Sequence, residues 1–267
     1  MATPPSDNCI GVFDSGVGGL SVLRAIRWQL PLAPLRYVAD SAHAPYGEKP
    51  ADFIRDRAER IAAHLVGQGA TVIVVACNTA TAVAIDPLRR RWPGLSVVGV
   101  EPGVRPAVAA SLNRHVGVMA TDATLRSERF RALVAREADG CTMHLQACNG
   151  LAAAIEQRDL NDPVLLDLVQ RHASALREAG ADVVALGCTH YTFVSTAIEE
   201  SLGAGIRIID TANAIAAQVA RVWKAKEGAG AEPRCRLETT GDPRRLAQFA
   251  ARWLGFDAEI AARPLSL

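Results

Sequence analysis

Short runs of apolar, mostly β-branched residues alternate along the chain with longer amphipathic stretches rich in alanine and arginine. This alternation is typical of βαβ units and predicts an α/β fold built on mostly parallel sheets. Because the apolar runs lack polar alternation, we expect strands that are buried on both faces. The predicted strands are Ile10–Phe13, Leu35–Ala39, Val72–Ala76, Val97–Val100, Val116–Met119, Val183–Leu186 and Ile206–Ile209. The predicted helices are Leu20–Gln29, Ala51–Gly67, Leu125–Glu137, Val164–Ala179, Ala212–Lys226 and Arg244–Leu254.

The charge balance and the apolar stretches exclude several classes of partner. The 267 residues carry 29 Lys and Arg against 28 Asp and Glu, a formal net charge of +1. A protein that binds nucleic acid or a membrane surface is expected to show a basic excess instead. The longest apolar stretches are too short to span a bilayer, and residues 1–8 lack the pattern of a signal peptide. We therefore expect neither a nucleic-acid partner nor a membrane association.

The cysteine pattern favours a reduced, cytoplasmic protein. Six cysteines occur, and no two of them form a C-x-x-C pair. Neither a disulfide scaffold nor a zinc site is therefore predicted, and the thiols are expected to be free. The segment Glu227–Pro233 is rich in glycine and alanine and is predicted to be a surface loop.

An internal repeat predicts two related lobes. Gly69–Ile73 leads into Cys77, and Gly180–Val184 leads into Cys188, with the cysteine eight residues after the glycine in both copies. Upstream, Ile10–Ser15 resembles the segment from Val116 to Thr121. We therefore expect two pseudo-symmetric lobes, each a mostly parallel sheet flanked by helices, with the active site in the cleft between them. The predicted boundaries are 1–98 plus 210–267 for the first lobe and 99–209 for the second.

Cys77 and Cys188 are candidate reactive thiols because each follows a predicted strand. At the carboxyl ends of parallel strands, free backbone N–H groups favour anions and lower the pKa of a thiol. A single buried cysteine is more often a small hydrophobic residue. Two cysteines at equivalent positions of a repeat, each followed by small hydrogen-bonding residues, favour a chemical role. The other cysteines lack such neighbours and are expected to be structural: Cys9, Cys141, Cys148 and Cys235.

Two loops and one histidine complete the candidate site. Asp14–Gly19 resembles a phosphate loop, but Ser21 stands where the dinucleotide pattern requires its third glycine, and no Gly-Lys-Ser/Thr ending follows. Its glycines are expected to let backbone amides approach a carboxylate. Pro45–Gly47 could offer backbone N–H groups and the tyrosine hydroxyl to the distal end of a ligand. His190 could orient or protonate the reacting group near Cys188.

Taken together, these residues resemble the glutamate racemases of the cofactor-independent aspartate/glutamate racemase superfamily. The matching blocks span about three quarters of the chain: Phe13–Val22, Asp40 with Pro45–Lys49, Val74–Ala82, Gly99–Val108, Ala120–Ser127 and Leu186–Val194. The combination of Cys-Asn-Thr-Ala with Gly-Cys-Thr-His-Tyr is highly specific. At two positions where the family usually has proline, this chain has Thr192 and Asn149.

The resemblance implies a role for each matched residue. Cys77 and Cys188 would be the two acid/base residues, with Asp14, Asp40, Glu156 and His190 in support. Substrate contacts are implied for Asp14, Ser15, Pro45, Tyr46, Gly47, Asn78, Thr79, Thr121, Thr124, Thr189 and His190. The resemblance also implies glutamate as substrate, D-glutamate for peptidoglycan as product, and a homodimer.

Two thiols suit racemisation, which removes a proton from one face of Cα and returns one to the opposite face. Many racemases delocalise the carbanion into pyridoxal phosphate, which needs a Schiff-base lysine. The lysines Lys49, Lys224 and Lys226 do not follow predicted strands, so we expect neither a cofactor nor a metal. The developing charge would then be stabilised by backbone amides and by polar side chains. The donors expected from their positions are Ser15, Asn78, Thr79, Thr121 and Thr189.

Other functions remain open from the residues alone. The fold could serve an aspartate racemase, or another isomerase or a decarboxylase of the same superfamily, although a decarboxylase acting on one face is expected to lack one cysteine. A Cys-His hydrolase needs only one cysteine and leaves the repeated one unexplained. A protein that only binds small anions would have incidental cysteines.

Overall fold

The computed structural model describes residues 8–223 and 234–267 of the chain. Contacts divide the chain into two compact units, Met1–Val100 with Ala212–Leu267, and Glu101–Thr211. The predicted loop Glu227–Pro233 and the end of the predicted helix Ala212–Lys226 lie outside the described residues. Within the described ranges, no helix combines the length and the apolar character needed to cross a membrane.

Strands and helices alternate through both units. The described strands are β1 Cys9–Asp14, β2 Leu35–Ala39, β3 Ala70–Val75, β4 Ser96–Gly99, β5 His115–Ala120, β6 Thr142–Ala147, β7 Val183–Gly187, β8 Arg207–Ile209, β9 Cys235–Thr239 and β10 Glu259–Ile260. The described α-helices are α1 Leu20–Gln29, α2 Ala51–Gly67, α3 Asn78–Arg91, α4 Val104–Ala110, α5 Asp122–Arg126, α6 Glu128–Glu137, α7 Leu151–Gln157, α8 Pro163–Glu178, α9 Ser195–Leu202, α10 Ala212–Val222 and α11 Pro243–Trp253. Short 3₁₀ turns lie at Ser41–His43, Tyr46–Glu48 and Thr189–Val194.

Each unit contains one parallel sheet, which confirms the predicted fold class. The sheet of the first unit has the order β10-β9-β2-β1-β3-β4, and that of the second has the order β6-β5-β7-β8. Every described strand pairing is parallel. Since β1 neighbours β3, and β5 neighbours β7, the residues that follow these strands lie side by side at one edge of each sheet.

The central strands are buried because helices cover both faces of each sheet. All of β1 and β7 is buried, and the apolar face of α2 packs on the first sheet through Ile54, Ile61 and Leu65. These three residues recur at helical spacing and form one stripe. The expectation of full burial is wrong for β8, where Arg207 is exposed, because β8 lies at the edge of its sheet.

One predicted helix proves to be two. The expected helix Leu125–Glu137 is divided into α5 and α6 by Ser127, whose backbone is extended. The Ser127 hydroxyl accepts a hydrogen bond from the Phe130 N–H at 3.1 Å and so caps α6. Serine is a strong helix N-cap, and here that local preference overrides the continuous helical pattern.

Candidate active site

Cys77 lies between β3 and α3, at the carboxyl edge of the first sheet. It is the N-cap of α3, and its sulfur accepts a hydrogen bond from the Ala80 N–H at 3.4 Å. The residue is buried. Since a helix N-terminus carries partial positive charge, this position stabilises a thiolate.

Asp14 is the last residue of the neighbouring strand β1, Ser15 follows it, and both lie beside Cys77. The Cys77 thiol is 3.7 Å from the Ser15 hydroxyl oxygen, to which it donates. The Ser15 hydroxyl and backbone N–H both donate to Asp14 Oδ1, at 3.0 and 2.5 Å. All three side chains are buried. The structure therefore brings a thiol, a hydroxyl and a carboxylate together within one unit.

The glycine loop after β1 is needed for packing around Asp14. A Cβ atom on Gly19 would lie 2.8 Å from Asp14 Cβ and 2.9 Å from the Tyr37 hydroxyl oxygen. That hydroxyl donates to the Gly16 carbonyl at 2.5 Å and fixes the loop. Only glycine fits at position 19, because the side-chain atoms already occupy the space.

Asn78 and Thr79 form the buried first turn of α3, directly after Cys77. Among the described residues, the buried Asn78 Oδ1 has no hydrogen-bond partner. A buried amide oxygen without a donor costs free energy, so the position favours a ligand that brings an N–H group.

Asp40 and the turn that follows it form a second polar cluster in the first unit. Asp40 is fully buried, and it accepts hydrogen bonds from Tyr46, Arg57 and Thr240. The Tyr46 hydroxyl donates to Asp40 Oδ2 at 2.5 Å. The hydrogen of this hydroxyl is therefore used within the first unit and leaves the oxygen lone pairs for a ligand, so the expected substrate contact of Tyr46 stays a prediction. Pro45 and Gly47, on either side, are half-buried.

In the second unit, Cys188 follows β7 and begins a chain of buried groups. Its sulfur is 3.8 Å from His190 Nδ1, and His190 Nε2 is 2.7 Å from Glu156 Oε1. Burial lowers the pKa of His190, but the hydrogen bonds to Cys188 and Glu156 outweigh it and raise the pKa well above its ordinary value. The contacts with a sulfur and a carboxylate thus favour the protonated form of the imidazole.

Three threonines lie at the same edge of the second sheet. Thr121 follows β5, the neighbour of β7, and caps α5 by accepting from the Thr124 N–H at 3.3 Å. The hydroxyl oxygens of Thr121 and Thr124 are 2.9 Å apart. Thr189 directly follows Cys188 and is buried, as are the other two. The second unit therefore supplies a thiol, an imidazole and several hydroxyls.

The remaining cysteines differ from Cys77 and Cys188. Burial raises the pKa of the Cys148 thiol, and raises that of Cys235 to about 11 although the nearby Arg27 lowers it. Cys9 donates to the Gln68 carbonyl at 3.9 Å, and Cys141 is half-buried.

A cavity of about 420 Å³ in the first unit opens at the amino ends of β1, β2, β9 and β10, next to Cys9 and Cys235. The cavity therefore lies at the amino ends of the strands, whereas Cys77 lies beyond the carboxyl end of β3.

The model of the Asp/Glu/hydantoin racemase family matches residues 18–219. The chain belongs to this family. A glutamate racemase of Ralstonia nicotianae is 47% identical over 258 residues, which cover 95% of this chain and 92% of the relative. A glutamate racemase isoform of Bacillus anthracis aligns with a TM-score of 0.86 and 29% identity, over 97% of this chain and 98% of that one. The Escherichia coli glutamate racemase, solved with L-glutamate and the activator UDP-MurNAc-ala, gives a TM-score of 0.81 and 31% identity, over 95% and 97%.

The family match confirms the resemblance inferred from the sequence motifs. It does not test the individual site residues, which remain predictions. The structure groups these residues around Cys77 and around Asp40 in the first unit, and around Cys188 in the second. That the residues of both units act on one ligand also remains a prediction. Among the described residues, no three His, Cys, Asp or Glu side chains gather as metal ligands would.

Two positions depart from the racemase family's usual prolines, and both make polar contacts. The Thr192 hydroxyl donates to Asp210 Oδ2 at 3.0 Å. The Asn149 carbonyl lies 3.3 Å from His172 Nε2. Each residue thus ties its loop to a neighbouring segment of the second unit.

Three residues that contact the predicted site residues were not predicted from the sequence. Arg57 and Thr240 bind Asp40, and the buried Tyr191 hydroxyl lies 3.5 Å from the Cys148 carbonyl. Burial and the neighbouring thiols Cys148 and Cys188 raise the pKa of Tyr191. A signal existed for Arg57, because it falls on the apolar stripe of α2. No local pattern marked Thr240, which is distant from Asp40 in sequence.

Proposed function

We propose that this protein interconverts L- and D-glutamate without a cofactor, using Cys77 and Cys188 as paired acid and base. The observation that carries the proposal is that each cysteine follows a strand of a parallel sheet and lies among buried hydrogen-bonding groups. The 47% identity to the Ralstonia nicotianae glutamate racemase supports glutamate as the substrate.

In the proposed reaction, one thiolate removes the proton from Cα, and the electron pair stays on Cα and spreads into the α-carboxylate. The thiol of the other cysteine then donates its proton to the opposite face of Cα. The first sulfur ends as a thiol and the second as a thiolate, so the roles are exchanged after each turnover. Hydrogen-bond donors aimed at the developing charge lower the barrier, and each contributes about 2.7–4 kcal/mol in well-studied enzymes.

The two clusters suit different parts of this reaction. Within the described part of the chain, the buried acceptor Asn78 Oδ1 has no donor, which fits the ammonium group of an amino acid. His190 lies next to Cys188 and orients the reacting group, and Glu156 holds the imidazole in place. Asp14 and Ser15 adjoin Cys77 and would contact the same ligand.

We also propose that the protein acts in the cytoplasm as a homodimer and supplies D-glutamate for peptidoglycan. The free thiols support a reducing compartment, since the described cysteines are all unpaired with one another. Light scattering of the purified protein at several concentrations measures the assembly. A mass of one chain throughout would contradict the dimer and leave the reaction unaffected.

Isotope incorporation tests the proposed reaction. Purified protein is incubated with L-glutamate in D₂O, and optical rotation and mass are followed together. We expect inversion accompanied by one deuterium at Cα, with aspartate reacting far more slowly. Inversion of aspartate in preference to glutamate would favour the alternative substrate. No deuterium at Cα of either amino acid would contradict a racemase, and cleavage of an ester or amide would indicate a hydrolase.

A further inference from the structure

The Asp40 carboxylate has no capacity left for proton transfer. Its Oδ1 lies 2.8 Å from Arg57 Nη2, 2.8 Å from the Thr240 hydroxyl and 3.0 Å from His43 Nδ1. Its Oδ2 lies 3.0 Å from Arg57 Nε and 2.5 Å from the Tyr46 hydroxyl. A carboxylate offers about four lone-pair positions, so these contacts occupy it completely. Burial raises the pKa of Asp40, but the hydrogen bonds from Arg57, Tyr46 and Thr240 outweigh it and lower the pKa below its ordinary value.

Arg57 binds Asp40 with the geometry of a rigid clamp. Two of its nitrogens reach the two carboxylate oxygens, and the arginine side chain is 6% exposed. Its remaining Nη1 donates to the Leu267 carbonyl at 2.9 Å. Paired contacts between the planar guanidinium and a carboxylate fix orientation as well as distance. Arg57 therefore holds Asp40 in one position relative to α2.

Asp40 in turn holds Tyr46. The Tyr46 hydroxyl donates its hydrogen bond to Asp40. Burial together with the negative charge of Asp40 raises the pKa of the Tyr46 hydroxyl. The tyrosine ring belongs to the same buried cluster as Cys77, and the turn Tyr46–Glu48 contacts α3, the helix that Cys77 caps. The path from Arg57 through Asp40 to Tyr46 thus ends beside the reactive thiol of the first unit.

We propose that Arg57 is a positioning residue that acts through Asp40 to fix Tyr46 and the turn Pro45–Gly47 beside Cys77. The resemblance to the racemase superfamily implies that Asp40 supports acid/base chemistry. The geometry assigns it the role of orienting the turn instead. This inference rests on the proposed function, because the turn is expected to contact the substrate.

The substitution Arg57→Lys tests the inference, since lysine keeps the charge and loses the paired contact. We expect kcat/KM for glutamate to fall by about tenfold to a hundredfold, because small displacements of groups at a reacting centre lower the rate by this order. Arg60→Lys is the matched control, because Arg60 lies on the same helix, is exposed and pairs with the exposed Asp56. The control is expected to keep wild-type kcat/KM.

A double-mutant cycle separates positioning from a general structural role. Tyr46→Phe removes the hydroxyl that Asp40 holds and keeps the ring. If Arg57 acts through Asp40 on Tyr46, kcat/KM of the double variant falls little further than that of the more impaired single variant. If the fold-losses in kcat/KM of the two single variants multiply in the double variant, the inference is overturned. A kcat/KM of Arg57→Lys within about twofold of wild type would also overturn it. Should Arg57→Lys fail to fold, Asp40→Asn takes its place in the cycle under the same criterion.

The acid limb of the pH profile gives a second readout. Loss of one Arg57 hydrogen bond is expected to raise the pKa of Asp40, so kcat/KM would decline at a higher pH than in wild type. The charged or titratable groups that face Asp40 are Arg57 on α2, and His43 and Tyr46 in the 3₁₀ turns after β2, and none of these is altered in the control. An unshifted acid limb would count against the inference. A wild-type protein that does not racemise glutamate would contradict the proposed function. The positioning role is then tested separately by a crystal structure of Arg57→Lys, and an unmoved Tyr46 in that structure would contradict it.

Discussion

At the scale of single residues, the protonation of His190 distinguishes the second cluster from an ordinary buried histidine. The ring has a sulfur near one nitrogen and a carboxylate near the other. These contacts raise its pKa although burial alone would lower it. A proton bound more tightly in the folded than in the unfolded protein stabilises the fold below about pH 6.5, the ordinary histidine pKa. That contribution is lost as the pH rises through the raised pKa.

Glu156→Gln is expected to lower the pKa of His190, because the substitution removes the carboxylate charge and keeps the shape. The titration of the imidazole resonances by NMR measures the effect. His172 is an internal control, since burial lowers its pKa and its ring contacts Gln146 and Asn149. An unchanged His190 pKa in the variant would show that Glu156 does not sustain the cation.

The sequence indicated which residues follow strands but not which distant residues bind them. Cys77 and Cys188 could be predicted, because a repeat and a strand end are both local patterns. Glu156 was named only by resemblance, and its pairing with His190 was not predicted, since α7 was not predicted and 34 residues separate the two. The clamp of Arg57 on Asp40 could not be predicted, because a buried arginine on an apolar stripe does not reveal its partner.

At the scale of helices and strands, the two copies of the repeat match more closely in their strands than in the segments after them. β7 leads directly to Cys188 and β3 leads to Cys77 after one residue, but Cys77 precedes the α-helix α3 whereas Cys188 precedes a 3₁₀ turn. The strands were predicted because their apolar runs are continuous. β6 and β9 were missed because polar residues interrupt them, and both are near an edge of their sheet.

The break between α5 and α6 predicts a stability effect at Ser127. Ser127→Ala removes the N-cap of α6 and is expected to lower the free energy of unfolding by about 1 kcal/mol. Ser174→Ala in the middle of α8 is the matched control and is expected to be neutral or slightly stabilising, since alanine favours helix. Urea denaturation measures both. Equal stability of the two variants would contradict the capping role.

At the scale of the whole molecule, several carboxylates with lowered pKa values govern acid stability. Hydrogen bonds lower the pKa of Asp182 although burial raises it, and a hydrogen bond from His64 lowers that of Glu238. Asp40 shows the same direction. A lowered pKa contributes stability above the unfolded value, about 3.9 for Asp and 4.3 for Glu, which is lost as the pH falls through the folded value.

The melting temperature is therefore expected to fall steeply below about pH 4, as these carboxylates take up protons. Glu238→Gln is expected to make the decline shallower, because one of the groups no longer titrates. Glu200→Gln, an exposed position on α9, is the control and is expected to leave the slope unchanged. Calorimetry from about pH 3 to about pH 7 measures all three proteins. A slope in Glu238→Gln equal to that of wild type would exclude Glu238 as a contributor.

In the proposed mechanism each thiol serves one face of the substrate carbon, and Cα exchange in single-cysteine variants tests this most directly. Cys77→Ala and Cys188→Ala are each incubated in D₂O with L- and with D-glutamate, with Cys9→Ala as a control of wild-type activity. We expect racemisation to fall by about a thousandfold or more in both variants, roughly 4 kcal/mol of barrier. Each variant is expected to retain Cα exchange, without inversion, for one enantiomer, and the retained enantiomer differs between them. Near-normal racemisation in either variant, or loss of exchange for the same enantiomer in both, would contradict the account.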